Sequence, residues 1–161
     1  MRYHVPIRLR WSDLDAYNHV NNSRVLSLLE EARVRTFWTS DDGEASPLAV
    51  IEGHQGASTQ TLIARHEIEY LAAIPYQAQP IDIHLWVGRL GAASCEVGYE
   101  VWSPPLEAGP DHTEGRTKYV VAASTIVFID TASQRPRRIS DAERHAWAPY
   151  VEEPAKFRGT R

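Results

Sequence analysis

Near residue 60 the hydrophobic period of this sequence changes from helical to two, and that change leaves few architectures open. Residues 23–38 (SRVLSLLEEARVRTFW) carry no Gly or Pro, and apolar residues recur at Val25, Leu28, Leu29 and Ala32, with Leu26, Phe37 and Trp38 on the flank. That spacing predicts one amphipathic helix with a broad apolar face. Downstream, residues 61–72 alternate, with Leu62, Ala64, Ile68 and Tyr70 opposing Arg65, Glu67 and Glu69. Residues 81–90 and 93–102 alternate in the same way around Gly91-Ala92, and residues 118–130 are apolar on both faces. Alternation of this kind predicts antiparallel strands with one covered face, and the last stretch predicts a strand buried on both.

The remaining segments complete the order. Residues 3–11 predict a first strand and 12–22 a polar loop, with Asn22 or Ser23 as helix N-cap. Residues 39–60, including Asp41-Asp42-Gly43, form a long connection with a short strand expected at 48–52. Residues 103–117 read as loop, and Ser140-Asp141-Ala142-Glu143 is a capping box that opens a short helix closed by Pro149. One helix and a run of one-sided strands predict an α+β fold, a curved antiparallel sheet of five or six strands around a long central helix. The 161 residues suit one domain over 1–161, with a flexible basic tail at 154–161.

Composition removes several classes of function. Net charge is −4, so no basic field recommends a nucleic-acid partner. The single cysteine, Cys95, excludes an internal disulfide framework and reads as core, and the histidines show no metal-ligand spacing. There is no apolar run of signal-peptide or membrane-span length, so the expectation is a cytoplasmic protein without a membrane partner.

Polar groups concentrate in Asp13-Leu14-Asp15-Ala16-Tyr17-Asn18-His19-Val20-Asn21-Asn22, immediately before the helix. A helix N-terminus presents unpaired amides and partial positive charge, which suit an oxyanion. A carboxylate beside it can attack a carbonyl or deprotonate water, which is enough for acyl transfer without metal or cofactor. Asp and Asn in this place also serve simply as caps and turn-formers, so composition alone leaves both readings open.

The string Arg10-Trp11-Ser12-Asp13-Leu14-Asp15, then His19-Val20-Asn21-Asn22, then Glu30-Glu31-Ala32-Arg33, closely resembles the hotdog thioesterase superfamily. The branch it resembles holds 4-hydroxybenzoyl-CoA thioesterase, small acyl-CoA thioesterases and plant-type acyl-carrier-protein thioesterases. Ile68-Glu69-Tyr70-Leu71, with Pro75, fits the same pattern. The resemblance implies a thioester hydrolase in which Asp15 is the catalytic carboxylate and the Asn22 amide polarises the carbonyl. It also implies a role for His19. Tyr17 stands where plant-type enzymes carry a catalytic Asn, which favours the simpler Asp-plus-helix mechanism. Tyr17 and Asn21 are expected near substrate. Arg89, Arg137 and Arg138 are expected at the phosphates of coenzyme A, because guanidinium forks match phosphate oxygens. Coenzyme A enters as part of the substrate, and no cofactor is expected. The resemblance further implies a homodimer with sites lined by both chains, and often a tetramer. Rival readings are an acyl-carrier-protein thioesterase, a hotdog hydratase or dehydratase, and a non-catalytic acyl-CoA-binding protein. Glu30 and Glu31 are the alternative carboxylates, although Glu31 and Arg35 at i,i+4 favour an ion pair. His66 and Tyr70 are expected to point the same way and to pack.

Overall fold

A computed structural model describes residues 1–39 and 46–159 of the chain. The elements are β1 (Tyr3–Ile7), α1 (Asn22–Phe37), β2 (Thr59–Tyr70), β3 (Ile81–Leu90), β4 (Ser94–Trp102), β5 (Lys118–Asp130), β6 (Arg135–Pro136) and α2 (Asp141–Trp147). The strands form one antiparallel sheet in the order β1-β3-β4-β5-β2, with β6 added to β5. The fold is therefore α+β, with the short C-terminal helix expected. The Ser140–Glu143 capping box is present, and Pro149 falls in a single 3₁₀ turn, Ala148–Tyr150, directly after α2.

α1 packs Val25, Leu28, Leu29, Ala32 and Phe37 into the core with Leu85, Val97, Tyr99 and Phe128 of the sheet, while Glu30, Glu31, Val34 and Arg35 face outward. On the other face Trp86 lies flat against Gly98, where any side chain would collide with the indole. The segment after α2 crosses that face. Glu152 donates its amide to Val87, the Trp86 indole donates to the Glu153 carbonyl, and the Arg158 amide donates to Glu69.

Four sequence expectations need correction. β1 stops at Ile7, where its ladder with β3 ends at Ile81, just after Pro80. The chain then bends into a 3₁₀ turn, Trp11–Asp13, because the Asp13 carboxylate accepts from the Arg10 amide at 2.7 Å. The helix N-cap is Asn21, whose side chain accepts from the Ser23 amide at 3.0 Å, and Asn22 is the first helical residue. No strand forms at 48–52; Ile51 makes one parallel bridge to Trp38, so the segment pairs with the end of the helix and not with the sheet. Residues 41–43 lie outside the described residues. Finally, Leu62 does not share a face with Ile68 and Tyr70. A bulge at Ala64 shifts the register between Ile63 and Arg65, leaving Leu62 54% exposed. One extra residue reverses the alternation that a strict period of two assumes.

Candidate active site

The loop before α1 is a compact turn. Leu14 bridges Val20, the Asp15 amide donates to the His19 carbonyl at 2.9 Å, and Asn18 takes a positive φ of 60°. Asn tolerates that conformation because its short polar side chain bonds locally. Asp13 is the buried anchor, 1% exposed, and accepts from the Arg10 amide and guanidinium. Its carbonyl accepts from the Asn21 amide, which fixes the loop to the helix entrance.

Asp15 stands on the opposite side of that turn, half-buried. Its Oδ1 accepts from the amides of Tyr17 (2.8 Å) and His19 (3.3 Å), and its Oδ2 has no partner among the described residues. Asp15, His19, Asn21 and Asn22 line an open cleft of about 520 Å³, with Tyr70 and Ala72 on its far wall. The Asn22 amide, the first of α1, finds no acceptor among the described residues. A carboxylate and a free helix-terminal amide thus share one cleft. The Tyr70 hydroxyl donates to the Asn22 carbonyl at 3.0 Å and ties β2 to the helix entrance. Sequence reading had Tyr70 only as packing; no spacing rule links positions 48 residues apart. His66 is hydrogen-bonded to the Ser124 hydroxyl at 2.8 Å, and burial, then the Arg33 cation, lowers its pKa. Tyr17 is 81% exposed and does not line the cleft.

The arginines expected at coenzyme A lie elsewhere in the chain. Arg137 is committed to the buried Glu143 through two nitrogens and to the Thr59 hydroxyl. Arg138 and Arg89 are exposed. Arg137 and Arg138 follow β6 at the sheet end where β2 begins, Arg89 is level with Arg65 in the middle of β2, and Asp15 and Tyr70 sit where β2 ends. Glu31 holds Arg35 at 2.6 Å, and Cys95 is a buried core thiol whose pKa burial pushes up to about 12.

One cluster escaped the spacing rules. The β1–β3 register sets His4 opposite His84, and Asp82 Oδ2 receives His84 Nε2 (2.9 Å), His4 Nδ1 (3.3 Å) and Arg116 (2.8 Å). These donor atoms converge closely enough to consider a metal. The Arg116 guanidinium, fully buried, already supplies the positive charge there, so the cluster is a buried ion network.

A carboxylate and a helix-terminal amide lining one cleft are the parts that acyl transfer can use. The profile described as the thioesterase-like superfamily matches residues 9–147, and the chain belongs to that superfamily. The structure is similar to that of a Bacillus stearothermophilus protein assigned by prediction as a thioesterase, with 21% identity, TM-score 0.72, and coverage of 96% of this chain and 99% of that one. It is similar to a Xanthomonas campestris protein proposed to be an acyl-CoA thioesterase, with 28% identity, TM-score 0.59, and coverage of 80% and 93%. It is also similar to a Thermus thermophilus thioesterase complexed with coenzyme A and zinc, with 21% identity, TM-score 0.64, and coverage of 89% and 94%. No curated protein sequence matches the chain. Among the described residues no helix is long and apolar enough to cross a membrane.

Proposed function

We propose that this protein hydrolyses acyl-CoA thioesters to the free acid and coenzyme A. The observation that carries the reading is the shared cleft of Asp15 and the uncommitted Asn22 amide. The amide and the helix dipole stabilise the oxyanion that forms when the thioester carbonyl is attacked. Asp15 attacks that carbonyl or takes the proton of the attacking water; a carboxylate needs no activating partner for either role. Its bonds to the Tyr17 and His19 amides hold one oxygen and leave the other for the reaction. His19 orients the loop or binds the water, and Asn21 caps the helix so that the Asn22 amide keeps its direction.

The functional unit in this reading is a two-fold dimer. Among the described residues β2 pairs only with β5, which leaves a 12-residue edge open there, and open edges invite pairing. Antiparallel pairing of β2 with its own copy sets the Thr59 end of one strand beside the Tyr70 end of the other. That operation carries Arg138 of one protomer towards the cleft of its partner, where a coenzyme A phosphate would meet it. It also encloses α1 as the central helix that the sequence pattern implies. The fused double sheet is the cytoplasmic hotdog dimer expected from the sequence, and it admits further pairing to a tetramer.

Free-thiol release by the purified protein across acyl-CoAs of graded length tests the activity. Turnover on at least one aliphatic or aromatic acyl-CoA is expected. Absence of release on every ester, with binding of coenzyme A retained, would leave a binding protein and overturn the proposal.

A further inference from the structure

A second cavity, of about 150 Å³, lies beside the C-terminal half of α1, walled by Phe37, Trp38, Ile63, Phe128 and Trp147. Arg33 enters this apolar space and is only 9% exposed. Its guanidinium makes one hydrogen bond among the described residues, a long one of 3.3 Å to the Tyr99 hydroxyl. The nearest carboxylate among the described residues, Glu30, stands 4.0 Å away with its side chain 69% exposed. The other buried arginine is held very differently. Arg116 donates to the Ser103 and Pro110 carbonyls and to Asp82, at 2.8 Å for the carboxylate. A guanidinium carries five donors, and a buried cation is costly unless they are engaged. Arg33 therefore faces the cavity with most of its bonding capacity unspent.

We propose that Arg33 anchors the far end of the acyl group, and that the preferred substrate is a monothioester of a dicarboxylic acid. The inference rests on the thioesterase reading above. Asn22, Glu30, Arg33 and Phe37 recur at helical spacing and mark one stripe of α1. β2 runs beside this stripe: Tyr70 bonds Asn22 at one end, and Ile63 lines the Arg33 cavity at the other. From Asn22 to Arg33 the helix rises about 16 Å, the span of an extended acyl chain of roughly thirteen carbons. A terminal carboxylate would meet the guanidinium through two parallel bonds, with Glu30 turned to solvent. The Thr61 hydroxyl lies in the same cavity as a further donor. A plain alkyl end would leave Arg33 as it stands.

The test compares a dicarboxylate and a monocarboxylate of about thirteen carbons, as free acids in calorimetry and as CoA thioesters in thiol release. Wild type is expected to bind the dicarboxylate, and to hydrolyse its monothioester, about tenfold better or more. Arg33→Met should remove the preference through KM, and Arg33→Lys, which keeps the charge without the fork, should retain part of it. Equal binding of the two acids by wild type would overturn the proposal, even if no variant folds. So would an unchanged preference in Arg33→Met, or a variant that merely dissociates the dimer, since the cation would then be answered by the partner subunit. Calorimetry needs no turnover. A dicarboxylate preference without thiol release therefore sinks the thioesterase reading alone, and thiol release without the preference sinks the anchor alone.

Discussion

Asp13 and Asp15 are separated by one residue and face different work. Asp13 is buried and bound to Arg10, whereas Asp15 keeps one oxygen in the cleft. The motif displayed both carboxylates, and the contacts of Asp13 make it the one that holds the turn. The arginines were less legible, because a cation's partner is fixed by tertiary pairing. Arg137→Ala is expected to cost stability, on the order of 1–3 kcal/mol, since it strands the buried Glu143. Arg138→Ala leaves no such gap. It should raise KM for acyl-CoA with kcat nearly unchanged, the signature of lost uniform binding. An unchanged KM would return Arg138 to the solvated surface. At His4 both ring nitrogens face carboxylates, Asp82 at 3.3 Å and Asp111 at 3.0 Å, and the bond to Asp82 raises its pKa. A raised pKa stabilises the fold fully below the unfolded value of about 6.5 and less as pH climbs through the folded value. The melting temperature of wild type over His4→Gln should therefore be a few degrees larger near pH 5.5 than near pH 8.5. A difference that grows with pH would contradict the imidazolium held between Asp82 and Asp111.

Among the elements, β3 and β5 were predicted at their observed bounds because their runs end abruptly at Gly91, at Thr117 and at the turn after Asp130. The α2 capping box was equally plain. The N-cap of α1 was placed one or two residues late, at Asn22 or Ser23, since Asn21, Asn22 and Ser23 are all good caps and only geometry separates them. The face of β2 was misassigned before Ala64, at Leu62, because a bulge leaves no mark in composition when the inserted residue is itself small and apolar. β2 also carries the prediction for assembly. In an isolated chain only every second β2 amide has a ladder partner, and in the dimer nearly all do. Amide hydrogen exchange should thus show protection at successive residues along Thr59–Tyr70, accompanied by dimer mass in sedimentation. Alternating protection with monomer mass and full activity would refute the two-fold unit.

For the whole molecule, the sequence pattern sufficed for the α+β layout and for the polar loop before α1, since both are written in local period and local chemistry. Contacts between distant segments were not readable: His4 with Asp82, Tyr70 with Asn22, and Arg33 with its cavity depend on register and packing. In the proposed reading the last two belong to a single seam that starts at Asp15 and ends at Arg33, with the thioester at the helix entrance, where one carboxylate drives hydrolysis. Steady-state hydrolysis of the best acyl-CoA by Asp15→Asn, beside wild type and Asp13→Asn, tests this most directly. The substitution keeps shape and removes charge, so kcat should fall by about 10²–10⁴, with a much smaller loss in Asp13→Asn. Near-wild-type turnover by Asp15→Asn would contradict the account and make Glu30 and Glu31 the carboxylates to examine.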